Sequence, residues 1–174
     1  MILPHTARID RPDLYMAIAH LFAQRSTCLR GQVGSVAVKN NHIVAAGYNG
    51  APPGMPHCLD VGCGGGVVTR PAQLDPLPGG EVPRPAEMQD VIEFPDGCTR
   101  AVHAEANLVA YAARLGVSLE GSTVYNTAGP CLPCAKLLVT AGIAEFWWHE
   151  PYWRMKEGLE LIDAANIRVC QYGS

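Results

Sequence analysis

The chain has 174 residues, 48% apolar and 17% charged, with 13 Lys+Arg against 16 Asp+Glu for a formal net charge of −3. That is enough chain for one buried core and too apolar for a disordered one, so a single domain over residues 1–174 is expected. The slight acidity argues against a polynucleotide partner, which calls for a basic face, and no apolar run reaches the roughly 18 residues that cross a bilayer.

The opening Met1-Ile2-Leu3-Pro4-His5 lacks the apolar core of a signal peptide. The seven cysteines are therefore expected as thiols in the cytoplasm, or a host's cytoplasm for a viral chain. Pro12-Asp13 opens a helix over residues 12–25, with Leu14, Ile18, Leu21 and Phe22 as its expected buried face. His20 reads as an ordinary helix side chain. Residues 33–38 and 42–47 are short and rich in β-branched side chains, and Lys39-Asn40-Asn41 between them is turn chemistry. This predicts an antiparallel hairpin. Residues 47–54 carry glycines and two prolines and read as a loop that a ligand can approach closely, with Asn49 offering a donor and an acceptor.

Residues 62–97 are dense in Gly and Pro and read as a long insertion, with Val91-Ile92-Glu93-Phe94 as its one candidate strand. Beyond it Ala104, Leu108, Ala112 and Leu115 mark a helix that Gly116 stops. Thr123–Tyr125 is a strand, residues 130–141 a helix, Glu145–His149 a strand, 154–165 a helix and Ile167–Cys170 a last strand. This order predicts an α/β fold: a five-stranded mixed sheet with helices on both faces. Cys170 reads as a core thiol.

Two stretches carry the chemistry: His103-Ala104-Glu105 and Pro130-Cys131-Leu132-Pro133-Cys134. One imidazole and two thiolates suit Zn²⁺, and three protein ligands leave the fourth tetrahedral position to water. The metal lowers the pKa of that water, and Glu105, which need not bind metal, is placed to carry protons. H-x-E followed by P-C-x-x-C is the signature of zinc nucleobase deaminases. The competing reading is a closed structural zinc with one more ligand.

Further stretches extend the likeness: Arg25-Ser26-Thr27-Cys28, Val33-Gly34, Gly47-Tyr48-Asn49-Gly50-Ala51-Pro52, His57-Cys58, Ala106-Asn107 after the H-x-E, and Gly129 through Lys136. Together these resemble deoxycytidylate (dCMP) deaminases of the cytidine deaminase superfamily, over roughly residues 12–60 and 98–170. The resemblance implies a three-layer α/β/α sandwich, cytidine deaminase-like. It implies catalytic zinc on His103, Cys131 and Cys134 and proton transfer by Glu105. Asn49 would contact the deoxyribose, and Arg25, Ser26, Thr27, Ala104 and Tyr152 would lie near the nucleotide. Arg25 is then either a phosphate contact or a solvated charge at a helix end; Tyr152 is either an aromatic against the nucleotide or packing beside Trp147 and Trp153. A second, structural zinc is implied on Cys28, Cys58 and Cys98 with His57 or Cys63, the alternative being buried thiols. Also implied are dCMP as substrate, dCTP and dTTP as effectors with Mg²⁺, and a homo-oligomer, often a hexamer. Two other readings stand beside dCMP: a deaminase of a 5-modified dCMP, free cytidine or a base in RNA, and a zinc-stabilised accessory protein without turnover.

Overall fold

A computed structural model describes residues 8–63, 98 and 100–174. The candidate strand at 91–94 lies outside the described residues. In chain order the elements are α1 (Arg11–Ala23), β1 (Gly34–Lys39), β2 (His42–Tyr48), α2 (Cys58–Val61), α3 (Ala104–Arg114), β3 (Thr123–Ala128), α4 (Leu132–Thr140), β4 (Glu145–Glu150), α5 (Lys156–Ala164) and β5 (Arg168–Gln171). The four-residue α2 had no periodic signal in the sequence. The strands form one sheet in the order β2-β1-β3-β4-β5. β1 runs antiparallel to β2 and β3, whereas β3, β4 and β5 are parallel. The hairpin closes through Asn40 and Asn41, both left-handed (φ 51° and 64°). Two left-handed residues in a two-residue turn match the twist of the flanking strands, and Asn tolerates that region.

Alternation along the strands sorts the core into two layers. Ala37, Val124, Phe146 and Trp148 face Leu108 and Ala112 of α3, Ala135 and Leu138 of α4, and Ile162 of α5. Val36, Val38 and Tyr125 face Tyr15, Met16 and Ala19 of α1. The sheet thus carries α1 on one face and α3, α4 and α5 on the other, the three-layer arrangement expected.

One expectation for α1 is corrected. The buried residues are Tyr15, Met16, Ala19 and Ala23, while Leu14 and Leu21 are 38% and 61% exposed. This helix is apolar almost all round, so periodicity did not choose its face. Close approach did: the backbone of Ala19 and Ala23 lies against Gly34 of β1, and only small residues fit that crossing. On α3 the predicted face holds at Ala104, Leu108 and Ala112, but Leu115 is the helix C-cap and is 72% exposed. Cys170 is half-buried, with its thiol 3.8 Å from Glu145 Oε1, and so is not the core thiol expected.

Two contacts organise the segments around the insertion. Gly50 and Val102 form an antiparallel bridge, with N–H···O distances of 3.1 and 2.9 Å. The Arg100 guanidinium donates to the Gly62 carbonyl at 2.7 Å, joining the chain on either side of residues 64–97.

Candidate active site

The site lies where α/β sheets bind ligands, outside the carboxyl end of a parallel strand. β3 ends at Ala128 and the chain turns through Gly129-Pro130 into Cys131, the N-cap of α4. Opposite, the Gly50–Val102 bridge delivers His103 to the N-cap of α3. Asn107 of α3 fastens that helix to β2 by donating to the Tyr48 carbonyl at 2.8 Å. Two helix starts therefore face each other, and each brings ligand atoms.

His103 Nδ1 lies 3.4 Å from Cys131 Sγ and 3.5 Å from Cys134 Sγ. Zn–S of about 2.3 Å and Zn–N of about 2.0 Å subtend a tetrahedral edge of about 3.6 Å, so these three atoms fit a zinc ion with little movement. Among the described residues they are the one group of three or more His, Cys, Asp or Glu ligand atoms lying within 4.8 Å of one another. The Cys134 thiol is hydrogen-bonded to Cys131 sulfur. That bond, together with one from His103, draws Cys131 down to about 4 against its burial, while the same Cys131–Cys134 bond and then burial drive Cys134 upward. A hydrogen bond to Cys131 also raises the His103 imidazole, against its burial. A proton and a metal ion compete for these atoms, so loading zinc here releases protons.

Glu105 is 3% exposed and reaches Cys134. Burial pushes its carboxyl up to about 7, into the range where a carboxyl can both take and give a proton near neutral pH. A cavity of about 580 Å³ opens over it, lined among others by Asn49, Ala104, Ala128 and Tyr152. That volume suits a small-molecule ligand.

The residues expected around the substrate divide. Asn49, Ala104 and Tyr152 line the cavity. The Asn49 side chain is also structural, its Oδ1 accepting from Val33 N and its Nδ2 donating to Gly31 O, both at 2.8 Å. Arg25, Ser26 and Thr27 are not among the lining residues. Arg25 is exposed beyond the end of α1, Ser26 is buried, and Thr27 Oγ1 lies 3.2 Å from His57 Nδ1. The arginines that do line the cavity are Arg30 and Arg154, the latter with its guanidinium 5.3 Å from the centre of the exposed Trp153 ring. Sequence reasoning missed both. Arg154 stands two residues after Tyr152, and that proximity was the available signal.

The second metal set is only partly gathered. Cys98 sulfur accepts from the backbone N–H of Arg100 and Ala101, each at 3.4 Å, and from the Cys63 thiol. Cys58 is fully buried, and Cys28 and Cys98 both line the cavity. Cys28, Cys58, Cys63, Cys98 and His57 do not converge to the spacing of the first set.

Three ligand atoms with an open position, a buried carboxyl beside them and a cavity above are the parts of a metal-dependent hydrolase. Residues 10–150 match the family model described as the cytidine and deoxycytidylate deaminase zinc-binding region, and the chain belongs to that family. A deoxycytidylate deaminase of Mycobacterium phage D29 is 39% identical over 139 residues, covering 79% of this chain and 92% of the relative. ComE operon protein 2 of Bacillus subtilis is 32% identical over 164 residues, 94% of this chain and 72% of the relative. A crystal structure of dCMP deaminase from cyanophage S-TIM5, in complex with dCMP and dUMP, superposes with a TM-score of 0.68 at 26% identity, over 94% of this chain and 99% of that one.

Proposed function

We propose that this protein hydrolyses dCMP to dUMP and ammonia. The observation that carries the reading is the buried Glu105 beside His103, Cys131 and Cys134, at the floor of a cavity lined also by two arginines. Relatives named for deoxycytidylate deamination support the substrate. His103, Cys131 and Cys134 would hold zinc, which would supply an activated water for attack at C4. Glu105 would take a proton from the attacking water and give it to ring N3 as the oxygen adds to C4. It would then take the proton of the new C4 hydroxyl and give it to the amine, so that the C4–N bond breaks, ammonia leaves and C4 becomes a carbonyl. Asn49 and the backbone it holds at Gly31 and Val33 orient the sugar. Arg30 and Arg154 take the 5′-phosphate in place of Arg25, and Tyr152 packs against the nucleotide.

Replacing Glu105 with Gln keeps the shape and removes the proton carrier. The expected result is full zinc content with turnover of dCMP lowered by roughly 10²–10⁴-fold. An E105Q variant that still releases ammonia at the parental rate excludes the assignment. Deoxycytidine and 5-methyl-dCMP assayed beside dCMP separate the phosphate requirement from the 5-position.

A structural zinc near Cys98 belongs to the same proposal. Two backbone N–H groups and a thiol already favour a thiolate there, and two zinc ions per chain by elemental analysis is the expected stoichiometry. Activation by dCTP with Mg²⁺, inhibition by dTTP and a homo-oligomer, of six chains by the same likeness, are carried by the family resemblance alone. Effector titrations and sedimentation test them.

A further inference from the structure

We propose that Asn126 is a positioning residue for the metal-binding turn, holding Cys131 in place through the carbonyl of Ala128. The inference rests on the reading of His103, Cys131 and Cys134 as zinc ligands. Asn126 lies in β3, 0% exposed, on the sheet face it shares with Val124. Three of its neighbours on that face are apolar: Ala37 of β1, and Phe146 and Trp148 of β4. A buried amide is unfavourable unless its polar atoms are partnered. Here Nδ2 donates to the Ala128 carbonyl at 2.7 Å, while Oδ1 has no partner. The register partner across the β1–β3 pair is Ser35, also 0% exposed, and its Oγ is unpartnered as well. An apolar residue at 126 would suit this core better. What the amide supplies instead is its bond two residues along the chain.

Ala128 is where the chain leaves the sheet, and Gly129, Pro130 and Cys131 follow. Other elements brace this turn from outside. Gly129 N donates to the Glu150 carbonyl at 2.9 Å, the Met155 side chain lies against Gly129, and Gly158 of α5 lies against the Pro130 carbonyl. Asn126 braces it from the core side. Without that bond the peptide after Ala128 keeps its Gly129 N–H bond to Glu150 but loses its anchor on the core side, and the 3.4 Å edge between Cys131 Sγ and His103 Nδ1 loosens. Asn126 does not touch the reacting atoms and acts through the backbone.

The test compares Asn126→Leu, similar in volume and lacking the amide, with Ser35→Ala, in the full zinc-loaded chain. Zinc release to a chelator and the visible spectrum of the Co²⁺-substituted protein read the metal site, and thermal melting reads the fold. For N126L the expected result is roughly 10-fold faster zinc release, a changed cobalt spectrum and a melting temperature no lower than the parent's. On dCMP, kcat falls while KM holds. S35A keeps the parental release rate and spectrum. N126L with parental zinc release and spectrum overturns the proposal. So does S35A weakening zinc as much as N126L, which would trace the effect to the strand pair. If N126L melts early, Asn126→Val, suited to a strand, takes its place: faster zinc release and a changed cobalt spectrum support the proposal, and parental values overturn it. Metal readouts stand whether or not dCMP is turned over, so failure of the substrate reading leaves the role of Asn126 separately decided. A parent that holds no zinc overturns both.

Discussion

Arg154 and Arg25 look alike in the sequence and differ in the fold. Arg25 follows α1, where Arg25 N and Ser26 N close the helix end on the carbonyls of Phe22 and Ala23 and leave Arg25 exposed. Arg154 lines the cavity. A charge-assisted bond to phosphate contributes about 1.5–3 kcal/mol. Arg154→Ala is therefore expected to raise KM for dCMP by roughly 10-fold or more and to leave any weak turnover of deoxycytidine unchanged, whereas Arg25→Ala changes neither. Steady-state kinetics on the two substrates check this; equal losses on both would show that Arg154 does not read the phosphate. That His103, Cys131, Cys134 and Glu105 come together was legible because their spacing is local: His103 and Glu105 share a helix start, as do Cys131 and Cys134. Which arginine faces the cavity depends on how a turn and a distant loop pack, and no local pattern records that.

At the scale of elements, the order and types of nine of the ten among the described residues were readable, since apolar period and turn residues act within a few positions. The face of α1 was not, because its sequence is apolar almost all round and the crossing at Gly34 selects small residues instead. A second close crossing lies nearer the site. A methyl group at Gly47 of β2 would meet the Ala104 carbonyl oxygen at 2.5 Å and Leu108 N at 2.6 Å, both backbone atoms of α3. Backbone cannot step aside as a side chain can, so Gly47→Ala must push α3 off the sheet. The expected cost is about 1–3 kcal/mol in denaturant unfolding, together with faster zinc loss, because His103 caps that helix. Unchanged unfolding would mean that α3 sits more loosely on β2 than this crossing allows.

Across the whole molecule, α1 and the far half of the sheet meet through a pair of histidines. His20 Nε2 and His149 Nδ1 are 2.9 Å apart, so one ring donates and the other accepts. Tyr172 packs edge-on to His149, Asp13 accepts from the Tyr172 hydroxyl, and Glu150 lies 3.6 Å from the other nitrogen of His149. Burial first, then the His149 charge, lowers the His20 pKa from its ordinary 6.5, with Glu150 opposing. The unfolded chain thus binds this proton more readily than the folded one. The contribution to stability is whole above about pH 6.5 and is lost as pH falls through the lower folded value. The melting temperature of the parent is expected to fall further between about pH 7.5 and pH 5 than that of His20→Asn. Loss of zinc in acid acts on both proteins and cancels in the difference; equal falls would remove His20 from the account.

The bond from Arg100 to the Gly62 carbonyl bears on how this chain can change length. It holds Gly62 and Arg100, on the two sides of residues 64–97, within one hydrogen bond of each other. Closing a longer or shorter span between joined ends changes the entropy only slowly with length. A short Gly/Ser bridge in place of residues 64–97 is therefore expected to leave zinc content, read by elemental analysis, unchanged, and any change in substrate preference after the exchange would trace to the residues removed.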